Sequence, residues 1–190
     1  MMRVATIAAA LAYSALALPV SATEAGPEYP GAVPAFLDAC AKGELTVAAR
    51  EQAFSAGGWT EEPATIDPKG FGISRALDKN FDYSKAVSVK QWSRSVDGVV
   101  LRGVLATFPE KRRYPTLCAV VVPNVKHGWP YDDAFEAAVK ALGLKGKSTD
   151  LPHYFEYSGK IDGNHPVRAE LFGRTAAVPD KNSMHLYIAF

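Results

Sequence analysis

The segment 86–124 constrains the fold more than any other part of the chain, because it carries the clearest strand and turn signals. Asp97-Gly98 separates two runs rich in valine, and both residue types tolerate the positive φ angles of a tight hairpin turn. A charged connection over residues 109–115 then precedes the run 117–122, which is apolar on both faces. The segment therefore predicts three antiparallel strands, of which the third is central in its sheet and covered on both sides.

Two helices are predicted before these strands. The first carries Cys40 on its apolar face and is ended by Gly43. The second covers residues 46–56, where Thr46 can accept a hydrogen bond from a free backbone donor and two glycines provide the stop. Trp59 follows directly and is expected to pack back on the pair of helices.

A third helix is predicted to start near Asp133, after the three strands. Asp133 and Glu136 fit the capping box, in which each side chain satisfies a free backbone donor, and Gly143 supplies the stop. The segment 60–80 contains prolines and glycines with little periodicity, so it is predicted to be irregular surface structure.

The last third of the chain returns to strands. Alternation of apolar and polar residues predicts three of them, over 153–161, 166–174 and 184–190. The residues predicted to face the core are His153, Phe155, Tyr157, Ile161, Val167, Ala169, Leu171, Met184, Leu186, Ile188 and Phe190. The predicted fold class is α+β: an antiparallel sheet of about six strands in two three-strand units, with helices packed on one face.

A secretory leader is predicted over residues 1–22. Its single charge, Arg3, precedes an apolar run of about 15 residues, which is short for a membrane span, and small residues lead to a cleavage site after Ala22. Removing these 22 of the 190 residues leaves 168. Residues 23–34, with three prolines and two glycines, are predicted to be a flexible lead-in, and residues 35–190 a single domain.

The two cysteines, Cys40 and Cys118, are predicted to form a disulfide, because exported chains more often bridge two cysteines than leave them free. The alternative is two separate buried thiols. The segment Phe36-Leu37-Asp38-Ala39-Cys40, the strand Cys118-Ala119-Val120 and the amphipathic helix after it resemble small, uncharacterised exported proteins of proteobacteria. The resemblance covers about residues 36–142. It implies a periplasmic address and a bridged α+β domain, and it transfers no catalytic residue.

Charge and composition limit the expected partners. Cleavage of the leader removes Arg3 and no acidic residue, which leaves 20 basic against 20 acidic residues. This balance gives no support for binding to nucleic acid or to anionic membranes. No stable membrane insertion is expected after cleavage of the leader. The small basic cluster Lys111-Arg112-Arg113 is interpreted as a solvated turn. The expected partner is another envelope protein or a small ligand.

The histidines His127, His153, His165 and His185 all lie in the second half of the chain. Their spacing matches no zinc-binding motif, and the chain shows neither a serine nucleophile elbow nor a phosphate-binding glycine loop, so no catalytic residue, metal site or cofactor is predicted. A metal-dependent envelope hydrolase that uses some of these histidines is the alternative function.

The loop 124–132 is the predicted ligand-binding site, because it places His127, Trp129 and Tyr131 between a central strand and a helix. Aromatic residues that are rigid and partly polar suit recognition. The alternative is that Trp129 fills the edge of the core. The sequence therefore predicts an exported periplasmic binding or accessory protein without catalytic activity.

Overall fold

The computed structural model describes residues 31–64, 85–123, 125, 129–148, 154–161, 165–173 and 183–190. The helices in this part of the chain are α1 (Ala32–Phe36), continued by a π-helical turn (Leu37–Ala41), α2 (Val47–Ala56) and α3 (Trp129–Ala141). The strands are β1 (Thr60–Glu62), β2 (Ser88–Val96), β3 (Val99–Thr107), β4 (Thr116–Val122), β5 (Lys145–Ser148), β6 (Tyr154–Ile161), β7 (His165–Gly173) and β8 (Met184–Ala189).

The start of α1 corrects the predicted boundary of the lead-in. Ala32 and Val33 were assigned to the flexible segment 23–34, but both lie in α1 and are buried. Pro34 does not prevent this, since the first turn of a helix does not need the backbone N–H that proline lacks. The predicted leader, residues 1–22, lies outside the described residues.

All eight strands form one antiparallel sheet in the order β1-β2-β3-β4-β8-β7-β6-β5. The predicted α+β class with an antiparallel sheet is confirmed, but the two separate three-strand units are wrong. Each half of the chain contributes four strands, and β4 pairs with β8 from Leu117 opposite Ala189 to Val122 opposite Met184. This pairing joins the two halves into a single sheet.

The edge strands β1 and β5 were not predicted. They are three and four residues long, polar in composition, and carry no apolar alternation that would mark them as strands. β1 occupies the first residues of the segment 60–80 that was predicted to be irregular, and the described part of that segment ends at residue 64. Short, charged edge strands protect a sheet against pairing with other chains.

The hairpin between β2 and β3 is confirmed. Asp97 and Gly98 have φ angles of 51° and 78°, and Val96 pairs with Val99 across a two-residue turn. The backbone N–H of Gly31 donates a hydrogen bond of 3.0 Å to the Asp97 carboxylate, so the hairpin tip is attached to the start of α1.

The second helix begins and ends where the sequence predicts. The Thr46 hydroxyl accepts a hydrogen bond of 3.2 Å from the third backbone N–H of α2. Trp59 packs edge-on against Phe54 at 5.2 Å, and Trp92 stacks on Phe54 at 4.3 Å. A Cβ on Gly103 would lie 2.4 Å from the Phe54 ring, so β3 needs glycine where this ring crosses it.

The third helix starts earlier than predicted, at Trp129 instead of near Asp133. Pro130 suits the first turn of a helix, because the missing N–H has no partner there in any case. Asp133 therefore lies inside the helix and does not form the predicted capping box with Glu136. The stop at Gly143 is confirmed by its φ of 77° and by the paired backbone hydrogen bonds that close the last turn.

The predicted disulfide is confirmed. The sulfur atoms of Cys40 and Cys118 are 2.02 Å apart, and both residues are fully buried. The bridge links the π-helical turn that continues α1 to the central strand β4, and thereby attaches the first helix of the domain to the middle of the sheet.

Arg50 fixes the same helix end from another direction. This buried guanidinium donates hydrogen bonds to the backbone carbonyls of Ala39 at 3.2 Å, Lys42 at 2.6 Å and Glu44 at 2.9 Å. Carbonyls at the end of a helix lack partners within the helix, so Arg50 supplies what the backbone cannot. Gly43, at a φ of 78°, turns the chain between two of these carbonyls as predicted.

Two buried clusters lie on opposite faces of the sheet, because side chains alternate along each strand. The first face packs against all three helices, which confirms that the helices lie on one side. Its members include these predicted core residues: Phe155, Tyr157, Ile161, Val167, Ala169, Leu171, Met184, Leu186, Ile188 and Phe190. His153 lies outside the described residues.

The second face has its own apolar cluster: Val104, Ala106, Phe108, Tyr114, Leu117, Ala119, Val121, Tyr187 and Ala189. None of its members belongs to a described helix. β4 is buried along its whole length, as its apolar composition predicts. β8 is also buried on both faces, although its alternating pattern predicted only one buried face. Both strands lie at the centre of the eight-stranded sheet.

Candidate functional site

The second face changes from apolar to polar across the sheet. One row of directly paired residues runs through β4, β8, β7 and β6: Leu117, Ala189, Arg168 and Ser158. The next row is parallel to it: Ala119, Tyr187, Glu170 and Glu156. In both rows the apolar residues lie on the central strands and the polar ones lie on β7 and β6. Within these two rows, the ionisable side chains therefore lie on β7 and β6.

The loop 108–115 between β3 and β4 lies beside these polar strands. Its ends are closed by a hydrogen bond of 2.7 Å from the Phe108 N–H to the Pro115 carbonyl. Phe108 and Tyr114 are both buried in the second-face cluster, so they anchor the loop on the sheet. The charged residues between these two anchors are thereby held close to β6 and β7.

A cavity of about 450 Å³, which we call the basic pocket, lies between this loop and the sheet. Its described lining residues are Lys111, Arg112, Arg113, Tyr114, Glu156, Ser158 and Arg168. Cavities of this size commonly hold small molecules. Four cationic side chains and one carboxylate line it, so the basic pocket has an excess of positive charge, although the whole chain has a formal net charge of only +1.

Aromatic rings orient two of the loop cations. The Arg112 guanidinium lies 4.8 Å from the centre of the Phe108 ring, and the Arg113 guanidinium lies 5.3 Å from the centre of the Tyr114 ring. Both contacts are cation–π interactions, which restrict a guanidinium without neutralising its charge. Because both rings are buried anchors, the positions of these two cations depend on the packing of the loop against the sheet.

Arg168 is held on the floor of the basic pocket by two carboxylates. Its Nε forms an ion pair with Glu170 Oε1, and its Nη2 lies 3.5 Å from Glu156 Oε2. The Tyr187 hydroxyl donates a hydrogen bond to the other oxygen of Glu170. Glu156 and Glu170 are directly opposite each other on neighbouring strands, where like charges repel. Arg168 lies between the two carboxylates and offsets this repulsion.

The burial of these groups differs in a way that matters for binding. The Glu170 side chain is 1% exposed, whereas the Glu156 side chain is 43% exposed. Glu170 and Tyr187 therefore form a buried support, and Glu156 faces the cavity. Two carboxylates surround Arg168, whereas the other three cationic side chains of the basic pocket lie on the loop side.

The basic cluster was interpreted as a solvated turn, and no pocket was predicted beside it. Lys111 and Arg113 are indeed exposed, as that interpretation expects. What it missed is the proximity of Arg168, which lies far away in the sequence and reaches the loop only because β8 pairs with both β4 and β7. No local pattern reports such a long-range pairing.

The predicted ligand-binding residues are only partly described. Tyr131 lies in α3, is 3% exposed and packs in the helix-side core, so it stabilises the fold. Trp129 is the first residue of α3, and its side chain is not among those described. His127 lies outside the described residues. A binding role for this segment therefore stays a prediction.

Of the four histidines, the side chain of His185 alone lies in the described part. It is buried, with its Nε2 at 3.1 Å from the Ser183 hydroxyl. Within the described ranges, no three histidine, cysteine, aspartate or glutamate residues are grouped as a metal site would require. The alternative of a metal-dependent hydrolase therefore stays a hypothesis, and the described residues provide no site from which its mechanism could be derived.

A polar connection on the helix-side face joins α3 to β6. The Tyr157 hydroxyl on β6 donates a hydrogen bond of 2.8 Å to Glu136 on α3, which also pairs with Lys140 at 2.7 Å. The bond from Lys140, followed by that from Tyr157, lowers the pKa of Glu136 below its usual value. Burial, followed by the contact with Glu136, raises the pKa of Tyr157. This connection fastens α3 to the sheet and does not border the basic pocket.

No family model, curated protein or solved structure matches the chain. The helices of the described part are all too short or too polar to cross a membrane. The disulfide is typical of proteins that fold outside the reducing cytosol. The molecule is thus an α+β protein with a disulfide and a cationic cavity on the sheet face opposite its helices.

Proposed function

We propose that the protein is an exported binding protein, periplasmic or secreted, that acts without catalysis and binds an anionic ligand in the basic pocket. The observation that carries the proposal is the concentration of four cationic side chains around one cavity of ligand size in a chain of nearly balanced charge. A local excess of charge attracts an anion to one place, whereas a uniformly basic surface would favour nucleic acid or anionic membranes.

The side chains that line the basic pocket suit binding. Lys111, Arg112 and Arg113 supply hydrogen-bond donors with a permanent positive charge. Guanidinium groups match the planar geometry of carboxylate and phosphate oxygens and can donate two bonds to one anion. The Tyr114 ring, buried at the wall, offers an apolar surface to the rest of the ligand.

The leader and the disulfide support the address. A leader that is cleaved after Ala22 would deliver the chain to an oxidising compartment, where the bridge between Cys40 and Cys118 persists. The periplasmic address agrees with the resemblance to exported proteobacterial proteins. Mass spectrometry of the protein from its native host should find Thr23 at the N-terminus, and retention of Met1 would contradict export by this route.

Titrations with small anions test the function. We expect the purified exported protein to bind at least one of acetate, inorganic phosphate and citrate saturably below about 10 mM, the weak end of small-ligand affinity. Nuclear magnetic resonance shifts should centre on the basic pocket, and the probe should be recovered unchanged. Glucose is the neutral control. Binding by none of the anions would overturn the proposal, as would chemical conversion of a probe.

A matched pair of variants locates the site. Lys111→Gln/Arg113→Gln removes two exposed loop cations and should weaken the binding of the anion at least about tenfold. Arg102→Gln/Lys145→Gln removes the same charge from exposed residues that do not line the cavity and should change the affinity much less. Shifts that centre on residues 124–132 would place the ligand in the segment with His127, Trp129 and Tyr131, and would contradict the assignment of the basic pocket.

A further inference from the structure

The two walls of the basic pocket carry different chemistry. The loop wall presents Lys111, Arg112 and Arg113, whose charged groups can only donate hydrogen bonds. The sheet wall presents the Glu156 carboxylate and the Ser158 hydroxyl on β6, both of which can accept them. The cavity is therefore polarised, with a cationic side and a side rich in acceptors.

Arg168 does not remove this polarity. Its Nε is paired with Glu170 and its Nη2 lies 3.5 Å from Glu156, so its charge is shared between two carboxylates. The group of Arg168, Glu156 and Glu170 has a formal charge of −1, whereas the loop wall has a formal charge of +3. An anion that reaches the sheet wall therefore meets Glu156, and its most favourable position is against the loop.

The size of the cavity indicates a second ligand group. An inorganic phosphate or an acetate ion fills only a small part of about 450 Å³. If such an ion lies against the loop, the space beside Glu156 and Ser158 remains for another part of the ligand. A ligand that covers the Glu156 carboxylate and the Ser158 hydroxyl removes water from them, so these acceptors select for donors on the ligand.

We propose that the ligand of the basic pocket is a small two-ended molecule. One end is an oxygen anion, phosphate or carboxylate, bound by the loop cations, and the other end carries hydroxyl or ammonium donors bound by Glu156 and Ser158. The proposal rests on the assignment of ligand binding to this pocket. Glu170 and Tyr187 act as positioning residues, since they hold Arg168, which in turn orients the Glu156 carboxylate.

Four probes test the two-ended ligand with the exported protein. Inorganic phosphate offers only the anion, glucose only hydroxyls, glucose 6-phosphate an anion with hydroxyls, and phosphoethanolamine an anion with an ammonium group. We expect glucose 6-phosphate or phosphoethanolamine to bind at least about tenfold more tightly than inorganic phosphate, the equivalent of one good charged contact. Which of the two binds better identifies the donor as hydroxyl or ammonium.

Glu156→Ala should change the affinities for the two kinds of probe in opposite directions. Loss of a purely structural role would not do this. The variant should bind the preferred two-ended probe less tightly, because an acceptor is lost, and inorganic phosphate more tightly, because a nearby negative charge is lost. Ser158→Ala, at an exposed position, should weaken the two-ended probe alone. Glu62→Ala, an exposed carboxylate on the distant edge strand β1, is the control and should change neither affinity.

The outcomes separate this inference from the proposed function. If inorganic phosphate binds in the basic pocket but neither two-ended probe gains affinity, the two-ended ligand is wrong and anion binding stands. The same conclusion follows if the gain persists undiminished in Glu156→Ala. If none of the anionic probes binds, both proposals fail.

Discussion

At the residue scale, Arg50 shows how a buried charged side chain can supply hydrogen bonds to backbone carbonyls that would otherwise lack a donor. The residue is 2% exposed, and its guanidinium contacts carbonyls on both sides of the turn that follows the first helix. A charged donor buried in this way contributes to stability only while its hydrogen-bond partners are present. The residue thus fixes the relative positions of the first two helices through main-chain atoms, which do not depend on neighbouring side chains.

Replacing this guanidinium should be costly. Arg50→Met keeps a long side chain but leaves three carbonyls without their donor, so we expect a loss of about 2–4 kcal/mol in the free energy of unfolding, measured with urea. Arg102→Met, the same substitution at an exposed strand position, should cost less than about 0.5 kcal/mol. Equal losses in the two variants would show that the carbonyl contacts of Arg50 contribute nothing specific.

Glu136 gives a pH-dependent prediction. Hydrogen bonds from Lys140 and Tyr157 lower its pKa in the folded protein, so folding favours the ionised form. The resulting stability is present above the unfolded pKa of about 4.3 and is lost as the pH falls through the lowered folded value. The stability difference between wild type and Glu136→Gln should therefore be larger at neutral than at strongly acidic pH, as measured by urea unfolding.

A partner variant checks the cause of this pH dependence. Lys140→Met removes the contact that lowers the pKa of Glu136 most. It should reproduce part of the loss in the free energy of unfolding at neutral pH. The Glu136 side chain is 36% exposed, so solvent screening keeps the effect small. A difference that stays constant from neutral to acidic pH would contradict the link to ionisation.

At the scale of the elements, local chemistry made some predictions possible and others not. The Asp97-Gly98 turn and the Thr46 cap were predictable, because each depends on the conformational preference or the hydroxyl of the residues involved. The start of the third helix was misplaced, because the spacing of Asp133 and Glu136 matches a capping box. The helix in fact begins four residues earlier, at Trp129, where Pro130 fits the first turn. β1 and β5 carry no apolar signal, although their backbones pair with β2 and β6.

Among the links between elements, the disulfide is expected to contribute most to the free energy of unfolding. It joins two residues that are 78 positions apart in the sequence. The lower chain entropy of the cross-linked unfolded state should stabilise the fold by roughly 4.5 kcal/mol. Cys40→Ala/Cys118→Ala should therefore lower the free energy of unfolding by about 2–5 kcal/mol, the usual range for a native bridge. Because the bridge joins the two cysteines of the chain, thiol reagents should find no reactive group in the unreduced protein, folded or denatured.

The wild type unfolded in the presence of a reductant is the control for this variant. It contains the same atoms without the cross-link once unfolded, so it separates the effect of the bridge from that of the two missing sulfur atoms. If reduced wild type is as stable as the oxidised protein, the bridge does not stabilise the fold and the entropy argument fails.

At the scale of the whole molecule, the sheet depends on one strand. β8 lies between β4 and β7, and six consecutive residues of it are buried. This position could not be read from the sequence, because the alternation of β8 indicates a strand but not its neighbours. The basic pocket depends on the same pairing, since β8 brings Arg168 to the loop that carries Lys111 and Arg113.

Removing β8 should therefore abolish the fold. A chain that ends at residue 182 loses both central ladders, so we expect no cooperative unfolding transition by circular dichroism. A synthetic peptide of residues 183–190 added to this chain should restore part of the transition by filling the vacant place between β4 and β7. A scrambled peptide of the same composition is the control. Cooperative unfolding of the shortened chain on its own would show that the two halves fold independently.

The position of β8 in the sheet also determines when the chain can complete its fold during synthesis. A ribosome delivers residues in order, and so would the export channel that the proposed address requires, so the strands on both sides of β8 emerge before the strand that separates them. Until β8 emerges, β4 and β7 each have one edge without the partner found in the finished sheet. Under the proposed export, final closure of the fold would wait until after translocation, which is when the chain would also meet the oxidising conditions that join Cys40 to Cys118.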